Sequence, residues 1–365
     1  MKVLSVVGAF QQGGAENVLM DLVLGLREHQ HRVVHFSAAN ALEAHPPFLS
    51  ALKQAGIRCD DVHWSTLREE HGRRDLFGDY RPDLVLFHWW GQHPWQRWVR
   101  VEHHLPLKRR PAFVCVLHHH GIAPPGGYDR YVAVASSQLK ELQHVGPDRV
   151  RVIPNGVDLR RFRRPRPARS GSNMVVGRIS SLRHGKIPGD WVQTAADFRL
   201  PKSKFVIAGG GDLEPVLRAN VQALGLEEKF SMPGYVHRPQ LPAMLASFDV
   251  FCYVTSFLTE CHPLALLEAQ AAGLPIVAEP RGGIAEIVIH GVNGLLADSN
   301  EKVCGYLHQM RRKPELVVRL AEGARKTAAR FSLEKQLNAY RALFLDLERE
   351  RYRGHRRKSE RRNCA

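Results

Sequence analysis

Between Thr255 and Val277 the chain reads Thr-Ser-Phe-Leu-Thr-Glu260-Cys-His-Pro-Leu-Ala-Leu-Leu-Glu268-Ala-Gln-Ala-Ala-Gly273-Leu-Pro275-Ile-Val, and no other stretch constrains the fold as tightly. Pro263 suits a first helical turn, where its missing N–H costs nothing. The Ala/Leu run behind it has the composition of a buried helix, and Gly273-Leu-Pro275 stops that helix before a short β-branched run. The stretch therefore predicts loop, helix and strand, with one carboxylate on the loop and one on the helix. An α/β protein places polar groups this way at the carboxyl ends of its strands. Free N–H groups at the helix start would attract an anion such as a phosphate. Glu268 lies about one and a half turns further in, where its carboxylate could accept hydrogen bonds from vicinal hydroxyls. The helix fixes Glu268, whereas Glu260 rests on a loop. Two glutamates eight positions apart also arise by chance, so the weight falls on the surrounding pattern.

That pattern is a βαβ rhythm, which predicts a parallel, doubly wound sheet. Strands are expected at 3–10, 33–37, 84–88, 113–118, 131–135 and 151–153, with Val18, Leu19, Leu22, Val23 and Leu26 on one face of an early helix. After Pro154-Asn-Gly-Val-Asp158 and an Arg/Pro-rich stretch the rhythm restarts, with strands at 173–177, 204–208, 230–233 and 250–255. The expected domains are 1–165, 166–331, a terminal helix at 332–351 packing back toward the first domain, and a disordered basic tail at 352–365. There is no Gly-x-x-x-x-Gly-Lys-Ser/Thr loop and no Gly-x-Gly-x-x-Gly after the first strand, which disfavours a P-loop ATPase or a dinucleotide oxidoreductase.

Charge narrows the class further. The net charge is +16, but residues 160–169 and 349–362 each carry +6, so the folded body is close to balanced. The basicity belongs to a linker and a tail. A solvated tail is the first reading, contact with an anionic membrane surface the second, and nucleic acid is not expected, because no base-reading motif accompanies the charge. No run reaches the ~18 apolar residues of a membrane span. The six cysteines form no Cys-x-x-Cys pair and read as buried free thiols in a reducing compartment.

Several pieces in order resemble a retaining glycosyltransferase of the GT-B fold, family 4. They are Gly13-Gly14-Ala-Glu16, Val116-Leu-His118, Val152-Ile-Pro-Asn-Gly-Val-Asp158, Val176-Gly-Arg178, Ala208-Gly-Gly210-Gly-Asp212, the Glu260-x7-Glu268 pair, Gly282-Gly with Glu286, and Gly291-Val-Asn-Gly294. The resemblance runs over nearly the whole chain. It implies an α/β fold of two doubly wound, Rossmann-like domains facing a central cleft. The second domain would bind a nucleotide-sugar donor and the first a glycan or lipid-linked acceptor. By the same resemblance Glu260 contacts the donor sugar, Glu268 the ribose hydroxyls, and the backbone around His262, Pro263 and Leu264 the sugar and diphosphate. Gly13, Gly14 and Gly210 would lie against the donor. Arg178 and a lysine would neutralise the departing diphosphate, where a fixed cation stabilises growing charge. The family puts that lysine six residues after the arginine, where this chain has His184; Lys186 is the first choice and Arg183 the second.

His118 ends a strand and is read as a donor-sugar contact, with a plain satisfied histidine as the alternative. Three consecutive histidines suggest metal, but adjacent side chains diverge and no carboxylate at ligand spacing accompanies them, so no metal and no cofactor are expected. No Asp-x-Asp motif occurs either. Gly13 and Gly14 allow close approach to a ligand or simply make a tight turn, and Glu16 could serve only the helix dipole. Trp89, Trp90, Trp95 and Trp98 could stack on sugars, anchor at a membrane interface or pack in a core. The expected function is transfer of a hexosyl group from a UDP- or GDP-linked sugar to a hydroxyl, with retention, in cell-envelope polysaccharide synthesis. The expected place is cytoplasmic, with peripheral contact to the inner membrane face through the tail. The alternative is an inactive GT-B scaffold serving as a binding or regulatory subunit.

Overall fold

The computed structural model describes residues 1–8, 13–37, 46–63, 80–89, 110–162, 173–255 and 260–362. The side chains of Trp89 and of residues 352–362 lie outside that description, as do Trp90, Trp95, Trp98, 163–172 and 256–259. The chain divides into two units, one of Met1–Pro154 with Lys335–Ala365 and the other of Asn155–Glu334.

The first unit is built on strands β1 (Lys2–Val7), β2 (Gln30–Ser37), β3 (Arg58–His63), β4 (Leu84–Trp89), β5 (Ala112–Leu117), β6 (Arg130–Ala133) and β7 (Val150–Val152). They form one parallel sheet in the order β3-β2-β1-β4-β5-β6-β7. The order reverses between β1 and β4, where Val6 stands beside Val34 on one side and Phe87 on the other. β5 is buried along its length, as a strand covered on both faces must be. The Gly14–Gly25 helix buries Val18, Leu19, Leu22 and Val23, the face expected from the sequence. β3 was not expected: Arg-Cys-Asp-Asp-Val-His lacks an apolar alternation. It is an edge strand, where charge is tolerated, and Asp60 accepts from Arg58 at 2.7 Å.

The second unit is built on β8 (Met174–Ile179), β9 (Ser203–Ala208), β10 (Phe230–Gly234), β11 (Val250–Tyr253), β12 (Ile276–Ala278) and β13 (Gly294–Leu296). The order is β10-β9-β8-β11-β12-β13, again parallel, with its switch between β8 and β11. Its core gathers Trp191, Phe205, Val250, Leu217 and Leu307. Gly177 of β8 lies under Phe248, whose ring would stand 2.1 Å from a Cβ there.

Two expected boundaries move. The first division falls at Pro154 rather than 165, because Asn155 to Asp158 is bound into the second unit: Asn155 Nδ2 donates to the His262 carbonyl at 2.8 Å, and Val157 N donates to Phe331 O at 2.9 Å. The second falls at Glu334 rather than 331, since Leu333 N donates back to Val157 O at 2.9 Å. The terminal helix runs Leu333–Arg362, so residues 352–362 are helical in backbone rather than the disordered tail expected. Only Gly354 interrupts a run rich in Arg, Lys and Glu, all good helix formers. From Lys335 onward this helix belongs to the first unit, burying Tyr340, Leu343, Phe344 and Leu347; Arg341 pairs with Glu28 and Arg351 with Asp83, both at 2.6 Å. Among the described residues no helix is long and apolar enough to cross a membrane.

Candidate functional site

Three of the residues singled out by the sequence, Arg178, Lys186 and Glu260, meet at the switch point of the second sheet. Arg178, near the end of β8, is 1 % exposed. Its Nε donates to Ser180 Oγ at 3.1 Å, its Nη1 to Val254 O at 2.6 Å, and its Nη2 to Lys186 O. The guanidinium stacks 4.7 Å from the centroid of Tyr253, on β11. Burial pulls its pKa below the usual guanidinium range, opposed chiefly by Tyr253. Arg178 has five N–H donors, and the two that remain set the limit on what it can offer a ligand.

Lys186 is reached through a turn at Gly185, whose φ of +87° suits glycine. Its carbonyl is held by Arg178, and its ammonium lies 2.7 Å from Glu260 Oε1. Tyr253 Oη donates to the same oxygen at 2.9 Å. Burial and the Glu260 carboxylate drive the Tyr253 phenol well above its ordinary pKa, so it remains a donor. Glu260 is 6 % exposed, and its own carbonyl accepts from Gly283 N at 3.0 Å. Although Glu260 is on a loop, it is therefore held at both ends. Of the two candidate cations the structure brings Lys186 to Glu260; Arg183 is exposed on the same loop.

The glycine turn after β9 faces this loop. Gly209 and Gly211 have φ of +142° and +153°, and a Cβ on them would fall 1.8 Å from Ser180 O and 2.3 Å from Leu182 O. Gly210, the position named from sequence, has room: its nearest neighbours would be Glu214 Oε2 at 3.7 Å and Tyr235 Cβ at 4.0 Å. Burial raises the Tyr235 phenol, Arg238 opposes, and the Glu268 carboxylate adds to the rise. The turn and Glu268 thus share Tyr235 as a neighbour. Glu268 is the fifth residue of the Leu264–Ala271 helix and half-buried.

Pro263 differs from expectation: it is the N-cap of that helix, with ψ of 122°, and Leu264 is the first helical residue. The ring locks φ just ahead of the helix, which orders the turn from Glu260 without being part of it. His262 is buried against Phe331, with ring centroids 4.9 Å apart, and burial lowers its pKa to about 4.

In the first unit, His118 follows β5 and its Nε2 lies 3.0 Å from Nδ1 of His88, on β4; the rings stack at 5.2 Å. Burial lowers both, His88 to about 3 and His118 well below 6.5. His120 turns instead to Glu141, so the consecutive histidines do diverge. Among the described residues no group of three or more His, Cys, Asp or Glu could hold a metal ion. Gly13 caps the Gly14–Gly25 helix, and a Cβ on it would meet Glu16 Oε2 at 2.3 Å. Glu16 is fully buried, so the chain's own carboxylate occupies the first turn, where an anion is favoured.

Sequence reasoning missed Tyr253, His88 and Glu279. Glu279 Oε2 accepts from Thr255 N at 3.1 Å and pairs with Arg281 at 3.3 Å, while burial raises its carboxyl above the usual range. Their positions at or just past the ends of β11, β4 and β12 were the available signal.

This arrangement meets matching comparisons. Residues 161–327 match the family model described as glycosyl transferases group 1, and residues 12–161 the model described as glycosyltransferase family 4. The D-inositol 3-phosphate glycosyltransferase of Thermobispora bispora is 31 % identical over 229 residues, 56 % of this chain and 52 % of that protein. The Escherichia coli UDP-Gal:alpha-D-GlcNAc-diphosphoundecaprenol alpha-1,3-galactosyltransferase is 28 % identical over 57 % of each chain. The crystal structure of Anabaena HepE in complex with UDP superposes with a TM-score of 0.77 at 20 % identity, over 95 % of this chain and all of that one. The chain belongs to the family-4-like glycosyltransferases and has the GT-B fold. Its matches span about half the length of these first curated relatives.

Proposed function

We propose that this chain is a retaining glycosyltransferase that moves a hexosyl group from a UDP- or GDP-linked sugar to a hydroxyl of a glycan or lipid-linked acceptor, in polysaccharide or glycolipid synthesis. The observation that carries the reading is the Lys186–Glu260 pair at the sheet's switch point, with Tyr253 on the same carboxylate oxygen and Arg178 behind the loop. Ligands of doubly wound sheets bind at that point.

The residues can be given roles. Lys186, about one-third exposed, is the cation that turns to the donor's diphosphate. Growing charge on the leaving phosphate strengthens that contact in the transition state, and fixed cations of this kind act without reorganisation. Arg178 serves from beneath, holding the Lys186 carbonyl and adding its charge. Glu260, released from Lys186, accepts hydrogen bonds from sugar hydroxyls. Glu268 takes the ribose diol. With the diphosphate served by cationic side chains, the reading needs no metal. Retention fits a same-face displacement, in which the departing phosphate takes the acceptor's proton. The relatives' names support the donor and acceptor classes: one acts from UDP-galactose on a diphosphoundecaprenol-linked sugar.

Isothermal titration with UDP, GDP and their glucose, galactose and mannose conjugates tests the reading. Micromolar binding of one nucleotide series, lost in Glu268→Ala, is expected. Absence of binding by every conjugate would overturn it. The anomer first released on donor hydrolysis, followed by NMR, tests retention; an inverted product would refute that part.

A further inference from the structure

Apart from the residues of the glycosyl-transfer reading, a second polar constellation sits at the carboxyl ends of β5 and β6. His120 lies three residues past β5 and is 6 % exposed. Its Nδ1 is 3.2 Å from Glu141 Oε1, and its Nε2 is 3.1 Å from Ser137 Oγ. Glu141 is 8 % exposed and also accepts from Gly121 N at 3.0 Å. Ser137 is half-buried in the turn of helix Ser136–Leu142 that follows β6, four residues before Glu141. The order is hydroxyl, imidazole, carboxylate, each within hydrogen-bond reach of the next. That is the nucleophile, base and orienting acid of acyl transfer, recognised by geometry rather than by sequence position.

The setting is fixed as well as assembled. Gln138, fully buried, accepts from Val134 N at 2.8 Å and Ala135 N at 3.1 Å. Its Nε2 donates to His119 O at 3.0 Å and Leu117 O at 3.3 Å. One side chain thus laces the turn carrying Ser137 to the loop carrying His120. A nucleophilic serine on a strand-to-helix turn, with its histidine from a neighbouring strand's loop, is how α/β hydrolases arrange the same groups.

We propose that Ser137, His120 and Glu141 form an acyl-transfer site that takes a carboxylic ester. Ser137 Oγ attacks the ester carbonyl as its proton passes to His120 Nε2. The ester C–O bond breaks, and the leaving alcohol takes that proton. The acyl group stays on Oγ until water, deprotonated by the same imidazole, releases it as the acid. Glu141 holds the Nδ1–H and offsets the imidazolium charge. The site is independent of the glycosyl-transfer reading, since it shares no residue with it.

The full chain is treated with a fluorophosphonate probe, which forms an Oγ–P bond and expels fluoride only where a serine is activated, and the adduct is mapped by mass spectrometry. A stoichiometric adduct on Ser137 is expected, absent in Ser137→Ala and absent from the protein in 8 M urea (roughly fully unfolding). His120→Gln should slow labelling about 100-fold or more, the contribution of a general base. Glu141→Gln should slow it and Glu141→Asp restore part of the rate, with melting temperatures unchanged. With p-nitrophenyl acetate a burst of p-nitrophenolate should precede steady turnover. No adduct on Ser137 in the native protein overturns the proposal, as does equal labelling in His120→Gln. If His120→Gln does not fold, the native and urea-unfolded proteins decide: equal labelling in both overturns it.

Discussion

Replacing His262 with Phe should flatten the acid sensitivity of the second unit. The ring is 4 % exposed, it lies edge-on to Phe331, and neither ring nitrogen has a hydrogen-bond partner among the described residues. Burial lowers its pKa from 6.5 to about 4. The unfolded chain therefore takes a proton near pH 6.5, and the folded chain resists until about pH 4. Above 6.5 both states are neutral and the residue carries no pH-dependent penalty. Stability falls as pH drops through the window and levels off below 4. At about 1.36 kcal/mol per unit, linkage gives a loss of about 2 kcal/mol at pH 5 and about 3 kcal/mol at the limit. A phenyl ring keeps the contact with Phe331 and has nothing to protonate. Urea unfolding of wild type and His262→Phe at pH 7.5 and 5.0, read by tryptophan fluorescence, measures the effect. The difference between the two proteins cancels the other histidines. It should shift by about 2 kcal/mol in favour of the variant between the two pH values. An equal difference at both would refute the inference that burial holds this imidazole neutral.

Lys186→Met should reduce transfer kcat by about 100- to 1000-fold, while Arg183→Ala stays near wild type, in a donor-turnover assay; the opposite ranking would move the diphosphate cation to Arg183. Gly209→Ala should cost about 3 kcal/mol or more, because its Cβ would meet the Ser180 carbonyl at a φ of +142°. Gly210→Ala should stay within about 1 kcal/mol, as thermal melts would show. Arg110→Met should cost about 3–5 kcal/mol in urea unfolding, since it strands buried Asp129, which Arg110 grips at 2.7 and 2.8 Å. The double variant Arg110→Met/Asp129→Asn should recover much of that loss.

Much of the fold was legible because parallel strands, covered on both faces, read as continuous apolar runs. Ala112–Leu117 and Val250–Tyr253 are of this kind. Arg58–His63 was not, because an edge strand needs no apolar alternation and its Asp60 answers Arg32 and Arg58 instead. In the site, Arg178 and Glu260 could be named because they lie in local motifs, and Lys186 because it stands two residues past the place the family gives its lysine. Tyr253 could not: it reads as one more apolar strand residue until its hydroxyl is seen on Glu260. The sequence also favoured Glu268 over Glu260, reasoning that a helix fixes and a loop does not. Burial and two donors on one oxygen hold the Glu260 carboxylate in place without a helix. Ser137, His120 and Glu141 were invisible for the opposite reason: Ser137 and Glu141 share the Ser136–Leu142 helix, but His120 comes from the loop after β5, and only the fold brings it to them.

The division of the chain also bears on how it is made. The core of the first unit includes Tyr340, Leu343, Phe344 and Leu347, which leave the ribosome after the whole of the second unit. Domains usually fold in the order of their synthesis. Here the later unit, continuous from Asn155 to Glu334, can close first, with its entry and exit joined by the Val157–Leu333 hydrogen bond. The earlier unit must wait with an uncovered apolar face on the Gly14–Gly25 side, where Gly25 later receives Leu337. The N-terminal half of this protein is therefore the last to finish, and the stretch of synthesis between Pro154 and Lys335 is when chaperone protection would matter most.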